Sequence, residues 1–166
     1  MFGITVERMY WIKGEEDDPK DLCLHGDVEV IIGAETFSYN ATVSATALYL
    51  LKTLTEDHLI GEEIQMLPCC GHFIIPAANL DTVDISGCSN GIDWSVIHEN
   101  DYVRLITESG QEVSIPIEDY ISAVFHFSDI VKAFYDLCSP KEVGDDEFER
   151  SGYIAFWNEW NRRRNQ

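Results

Sequence analysis

Cysteine and histidine have the widest chemical reach among the side chains of this chain, and one stretch gathers them: Cys69, Cys70 and His72, with Cys88 sixteen residues beyond. Zinc takes four nitrogen or sulfur ligands in a tetrahedron, which Cys69 or Cys70, His72, Cys88 and either Cys23 or His25 would have to supply. The spacing argues against that set. Adjacent cysteines on a strand point to opposite faces, so one of the pair reaches an ion, and no second C-x-x-C or H-x-x-x-H pair closes the site. Small buried thiols in a strand region are the expectation. The alternative is a zinc-binding or cysteine-dependent enzyme centred on Cys69, Cys70, His72 and Cys88, with Asp93 as a nearby carboxylate.

Nucleophilic chemistry at these cysteines would need a base and a positive local potential to lower the thiol pKa. His25 stands two residues from Cys23 and His72 two from Cys70, but a formal net charge of -19 raises thiol pKa values instead. The run Gly87-Cys88-Ser89-Asn90-Gly91 is glycine-rich enough to suggest a phosphate loop. It carries no Gly-Lys-Ser/Thr, and Asn-Gly between apolar runs reads as a turn. Paired carboxylates, Glu62 with Glu63, Asp81 with Asp84 and Glu118 with Asp119, read as solvated faces, and no calcium-loop pattern occurs. No cofactor is expected.

The elements that would position these residues follow from periodicity. Alternation predicts strands over 2–12, 27–32 and 36–39, with Gly33-Ala34-Glu35 as a turn. Val43, Ala47, Leu50, Leu51 and Leu54 recur at helical spacing and predict a helix over 42–58. Short apolar runs then predict strands at 65–70, 73–75 and 82–85, followed by a three-strand meander over 92–96, 102–107 and 112–117. Tyr120, Val124, Phe127, Val131, Phe134 and Cys138 mark a long helix over 117–138, which Pro140 ends. A last helix spans 146–163, with acids at its start and Arg162 to Arg164 at its end, as the macrodipole prefers. Its aromatic side, Tyr153, Phe156, Trp157 and Trp160, is expected in the core; a homodimer surface is the alternative. The whole reads as one α+β domain over 1–166: a mainly antiparallel sheet, strand-rich in the first two-thirds, one helix near 42–58 and two C-terminal helices packed on the sheet.

Charge bounds the function. The chain has 30 acidic and 11 basic residues, and before Arg162 all 30 acids face eight bases, a balance of -22. With 45% hydrophobic residues this is a folded acidic body and not a disordered tail. Such a body repels nucleic acid and anionic membranes and attracts basic proteins. The N-terminus has no signal-peptide pattern and no segment is apolar enough to span a membrane, so a cytoplasmic location with reduced thiols is expected. The function expected is that of an acidic binding protein that neutralises or occludes a basic protein, as immunity proteins and nucleic-acid mimics do. The acids expected to meet the partner are Glu62, Glu63, Asp93, Glu99 and Asp101.

Overall fold

The structure, a computed structural model, describes residues 1–13, 17–69, 73–87 and 89–166. It is α+β, with antiparallel strands mostly in the first two-thirds and helices toward the C-terminus. The first meander joins β1 (Phe2–Tyr10), β2 (His25–Ile32) and β3 (Glu35–Thr42) in that order. Ile4 pairs with Val30 and Val28 with Tyr39, so period-two alternation puts Val28, Val30 and Ile32 on one buried face. Gly33, at φ 64, makes the left-handed step that a side chain would resist in the short turn between β2 and β3.

β3 runs directly into α1 (Val43–Lys52), in which every residue from Val43 to Leu51 is buried. A helix buried on all sides belongs in the centre of a domain, and α1 packs against both other helices and the first sheet. It stops six residues before the 58 predicted from the apolar spacing. Thr53 donates its hydroxyl to Leu50 O and meets the Tyr120 hydroxyl at 2.7 Å, while the Arg163 guanidinium donates to Lys52 O. The last carbonyls are met locally, Tyr49 O by Thr53 N, Leu51 O by Leu54 N and Lys52 O by Glu56 N, and Tyr120 and Arg163 brace the turn in which the helix ends.

Two short ladders follow, β4 (Leu67–Pro68) with β7 (Gly91–Ile92) and β5 (Phe73–Pro76) with β6 (Val83–Ser86). The 65–70 strand shrinks to Leu67–Pro68. The second meander, β8 (Trp94–Glu99), β9 (Tyr102–Thr107) and β10 (Glu112–Pro116), leads straight into α2 (Ile117–Leu137). Three antiparallel strands followed at once by a helix thus occur twice, an architectural repeat with no counterpart legible in the sequence. The tips of the two meanders touch: Gln111 Oε1 accepts from Ala34 N, and the Ser109 hydroxyl donates to Glu35.

α2 buries Tyr120, Val124, Phe127, Val131 and Tyr135 against α1 and β1. α3 (Glu147–Arg164) is capped by Asp146, whose carboxylate accepts from Glu149 N at 2.9 Å. It lies on β5 and α1, burying Phe156 and Trp160, with Trp157 edge-on to Tyr135. No helix among the described residues is long and apolar enough to cross a membrane.

Candidate functional site

Strand β8 pairs with β9 on one side only, and the segment after α1 covers its other edge. His58 N donates to Val96 O at 2.9 Å and Val96 N to His58 O at 2.8 Å; further along, Ile60 N donates to the Ser95 hydroxyl. At the far end Asp57 accepts from both the backbone N–H and Nδ1 of His98, at 2.9 and 2.7 Å, and these bonds hold its carboxyl below the usual range. An unpaired strand edge is thereby closed by a loop that carries acids.

At the centre of this margin, His58 Nε2 lies 2.8 Å from Asp93 Oδ1 and Nδ1 lies 3.1 Å from Glu62 Oε2. The ring is 3% exposed. Burial pulls the imidazole pKa down, but the hydrogen bond and charge of Asp93, aided by Glu62, outweigh it and leave it raised. Asp93 Oδ1 also accepts from Met66 N at 3.2 Å. The arrangement clamps the start and the end of the loop to the beginning of β8.

The acids expected to meet a partner therefore separate. Glu62 and Asp93 come together on one histidine, while Glu99 and Asp101 lie at the opposite end of β8, with Glu99 Oε1 accepting from Arg104 Nε at 2.7 Å. Glu62, Glu63, Glu99 and Asp101 are exposed; Asp93 is 5% exposed, turned inward beside the fully buried Trp94. Asp93 is an internal tether in this fold, because its carboxylate needs the His58 ring and the Met66 amide to offset its desolvation.

Of the cysteine cluster, Cys70, His72 and Cys88 lie outside the described residues. Cys69 is disulfide-bonded, a correction to the expectation of reduced thiols. Its N–H donates to Asn90 O at 3.1 Å, extending the β4–β7 ladder that brings residues 67–69 and 90–92 side by side. Among the described residues no group of three or more His, Cys, Asp or Glu is placed to hold a metal. Cys23 is a free thiol whose pKa is pushed up to about 12, by burial first and then by the charge of Asp21, so it stays protonated and unreactive.

A second charged cluster, not among the candidate residues above, lies on the inner side of α3. Glu159 is fully buried; its Oε2 accepts from Val83 N at 2.7 Å and lies 3.5 Å from Lys52 Nζ, and its Oε1 accepts from Arg163 Nε at 2.8 Å. Arg163 reaches on to Glu56. The signal was present: Gly152, Phe156, Glu159, Trp160 and Arg163 share one helical stripe, so the apolar side of α3 carries Glu159 and Arg163 inward with it. Arg164 lies over the Phe125 ring and donates twice to Asp129, at 2.7 and 2.9 Å. The C-terminal arginines thus bind the chain to itself. Comparison with known proteins adds no assignment, since no protein-family model matches the chain and no curated protein or solved structure is significantly similar to it.

Proposed function

We propose that this chain is an acidic binding protein that neutralises or occludes a basic protein partner, in the manner of immunity proteins or of proteins that mimic nucleic acid. The observation that carries the reading is an asymmetry of pairing. Arg8, Lys52, Arg104, Lys132, Arg163 and Arg164 are each engaged by a carboxylate of the same chain. Glu63, Asp101, Glu118 and Asp119 are exposed and, among the described residues, form no ion pair with Lys or Arg. Most of the cationic charge is thus paired within the chain, and carboxylates in excess of it face outward. A surface of that kind raises the encounter rate with a cationic protein and repels phosphate backbones.

The decisive experiment is affinity capture from the native cell on the immobilised chain, at low salt and again at high salt, with the retained proteins identified by mass spectrometry. A specific basic protein, retained at low salt and progressively released as salt rises, is the expected result. Recovery of neutral or acidic proteins alone would overturn the proposal.

A further inference from the structure

A cleft of about 490 Å³ opens between β5, the segment leading into β2 and the first turn of α3. Its mouth is framed by Phe73 and Phe148, 72% and 48% exposed, and by the carboxylates of Asp146 and Glu149. Leu22, Cys23 and Ile74 form its floor. Two exposed phenylalanines facing one concavity are unusual on a chain whose other aromatic rings are largely packed away, because leaving a ring in water forfeits most of its burial energy.

The sequence builds this cleft deliberately close. Gly152 brings the α3 backbone against β5 so tightly that a Cβ there would stand 2.4 Å from Ile74 O. Phe148, one turn earlier on the same side of the helix, consequently overhangs β5, whose alternation turns Phe73 outward. Behind the floor, the same Leu22, Cys23 and Ile74 line a small inner void together with Thr42 and Phe156. Thr42 is fully buried, and its hydroxyl has no hydrogen-bond partner. A buried hydroxyl without a partner is costly, and here it lines a void that shares Leu22, Cys23 and Ile74 with the cleft. The protonated Cys23 thiol serves there as a small apolar wall.

We propose that this cleft anchors an aromatic or large aliphatic side chain of the basic partner, with a neighbouring Lys or Arg of that partner meeting Asp146 and Glu149. The inference rests on the reading of the chain as a binder of basic protein and adds the place and the chemistry of the contact. Dispersed carboxylates set the rate of encounter but hold little affinity at physiological salt; a desolvated apolar anchor ringed by charge supplies the slow dissociation that neutralisation requires. Lys20 occupies the other lip, so complementarity directs the incoming cation to the α3 side.

Three short peptides test it against the full chain by NMR titration of the ¹⁵N-labelled protein at low salt: a tryptophan peptide flanked by lysines, the same peptide with alanine for tryptophan, and the tryptophan peptide flanked by glutamates. The lysine–tryptophan peptide is expected to bind about tenfold more tightly than either control, to shift Leu22, Phe73 and Phe148, and to lose about tenfold in affinity on Phe73→Ala or Phe148→Ala. Both variants alter exposed side chains, and an unchanged circular dichroism melt establishes that they are folded. Equal binding of the two lysine peptides, with shifts elsewhere, overturns the cleft while leaving the acidic-binder reading in place. Equal binding of the two tryptophan peptides shows an apolar site indifferent to charge and overturns the commitment to a basic partner's anchor. Failure of both lysine peptides to bind overturns the reading beneath it as well.

Discussion

A histidine whose two ring nitrogens each face a carboxylate must donate from both, and only the imidazolium has two N–H groups. His58 is in that position between Asp93 and Glu62, and its pKa is raised above the ordinary 6.5. Its contribution to stability is fully present below 6.5 and is lost as pH rises through the raised folded value, where the native state gives up a proton that held the pair. His25 acts in the opposite sense: burial lowers its pKa, so its share is present above 6.5 and fades as pH falls. The two are separated by melting wild type and His58→Gln across pH 6 to 9, a range of about three units. The gap between the curves is expected to narrow as pH rises, and a gap constant across the range would mean that His58 is held neutral. The two carboxylates should differ as well. Asp93→Asn weakens a buried pair and should cost roughly 2 to 4 kcal/mol, whereas Glu62→Gln at the exposed end should cost less than about 1 kcal/mol in urea denaturation.

Between elements, the tightest constraint is the crossing of α3 over β5 at Gly152. Glycine inside a helix ordinarily costs about 0.5 to 1 kcal/mol relative to alanine. Here the order reverses, because the alanine methyl would stand 2.4 Å from the backbone oxygen of Ile74, which cannot swing aside as a side chain can. Gly152→Ala should therefore lower stability by about 2 kcal/mol or more, read as a lower urea midpoint with an unchanged slope. Glu159→Ala should cost about 3 to 5 kcal/mol, since it strips Arg163 and Lys52 of their buried counter-charge and the Val83 amide of its acceptor. A loss under about 1 kcal/mol would show that water replaces the carboxylate.

These element-level contacts mark how far the sequence could be read. Strand β9 follows from alternation alone, residue for residue, because a half-buried strand between two turns is specified locally. The end of α1 does not: Leu54 continues the apolar spacing, yet the chain turns at Thr53, where it is braced by Tyr120 and Arg163, more than sixty residues away in the chain. The β-bridge of His58 with Val96 was hidden for the same reason. Of the expected partner-facing acids, Glu62, Glu63, Glu99 and Asp101 lie in bends, in a turn or at a strand end and are exposed, while Asp93 is held inward by the His58 ring and the Met66 amide, partners that its own neighbours in sequence do not reveal. The cleft under Phe73 and Phe148 joins two segments whose proximity only the fold creates.

Taken as one charged body, the chain should respond to salt in two opposite senses. Its net charge of -19 is spread over the surface of a domain tens of ångströms across, and carboxylates separated by less than the Debye length repel one another in the folded state more than in the expanded chain. Raising salt from about 10 mM, where that length is ~30 Å, to about 0.5 M, where only near neighbours interact, should increase the melting temperature by several degrees. The ion pairs oppose this trend only weakly. Those on the surface, such as Lys132 with Asp136, contribute little in either condition, and the Glu159–Arg163 pair is buried from screening. The same screening should slow association with a basic partner steeply while leaving the dissociation rate nearly unchanged, because steering acts on the encounter and the apolar anchor on the complex. Stopped-flow mixing over the same salt series checks this: an association rate falling by ~10 to 100-fold as the isolated chain becomes more heat-stable is the expected pair of results. A rate indifferent to salt would mean that the acidic surface serves solubility and takes no part in recognition.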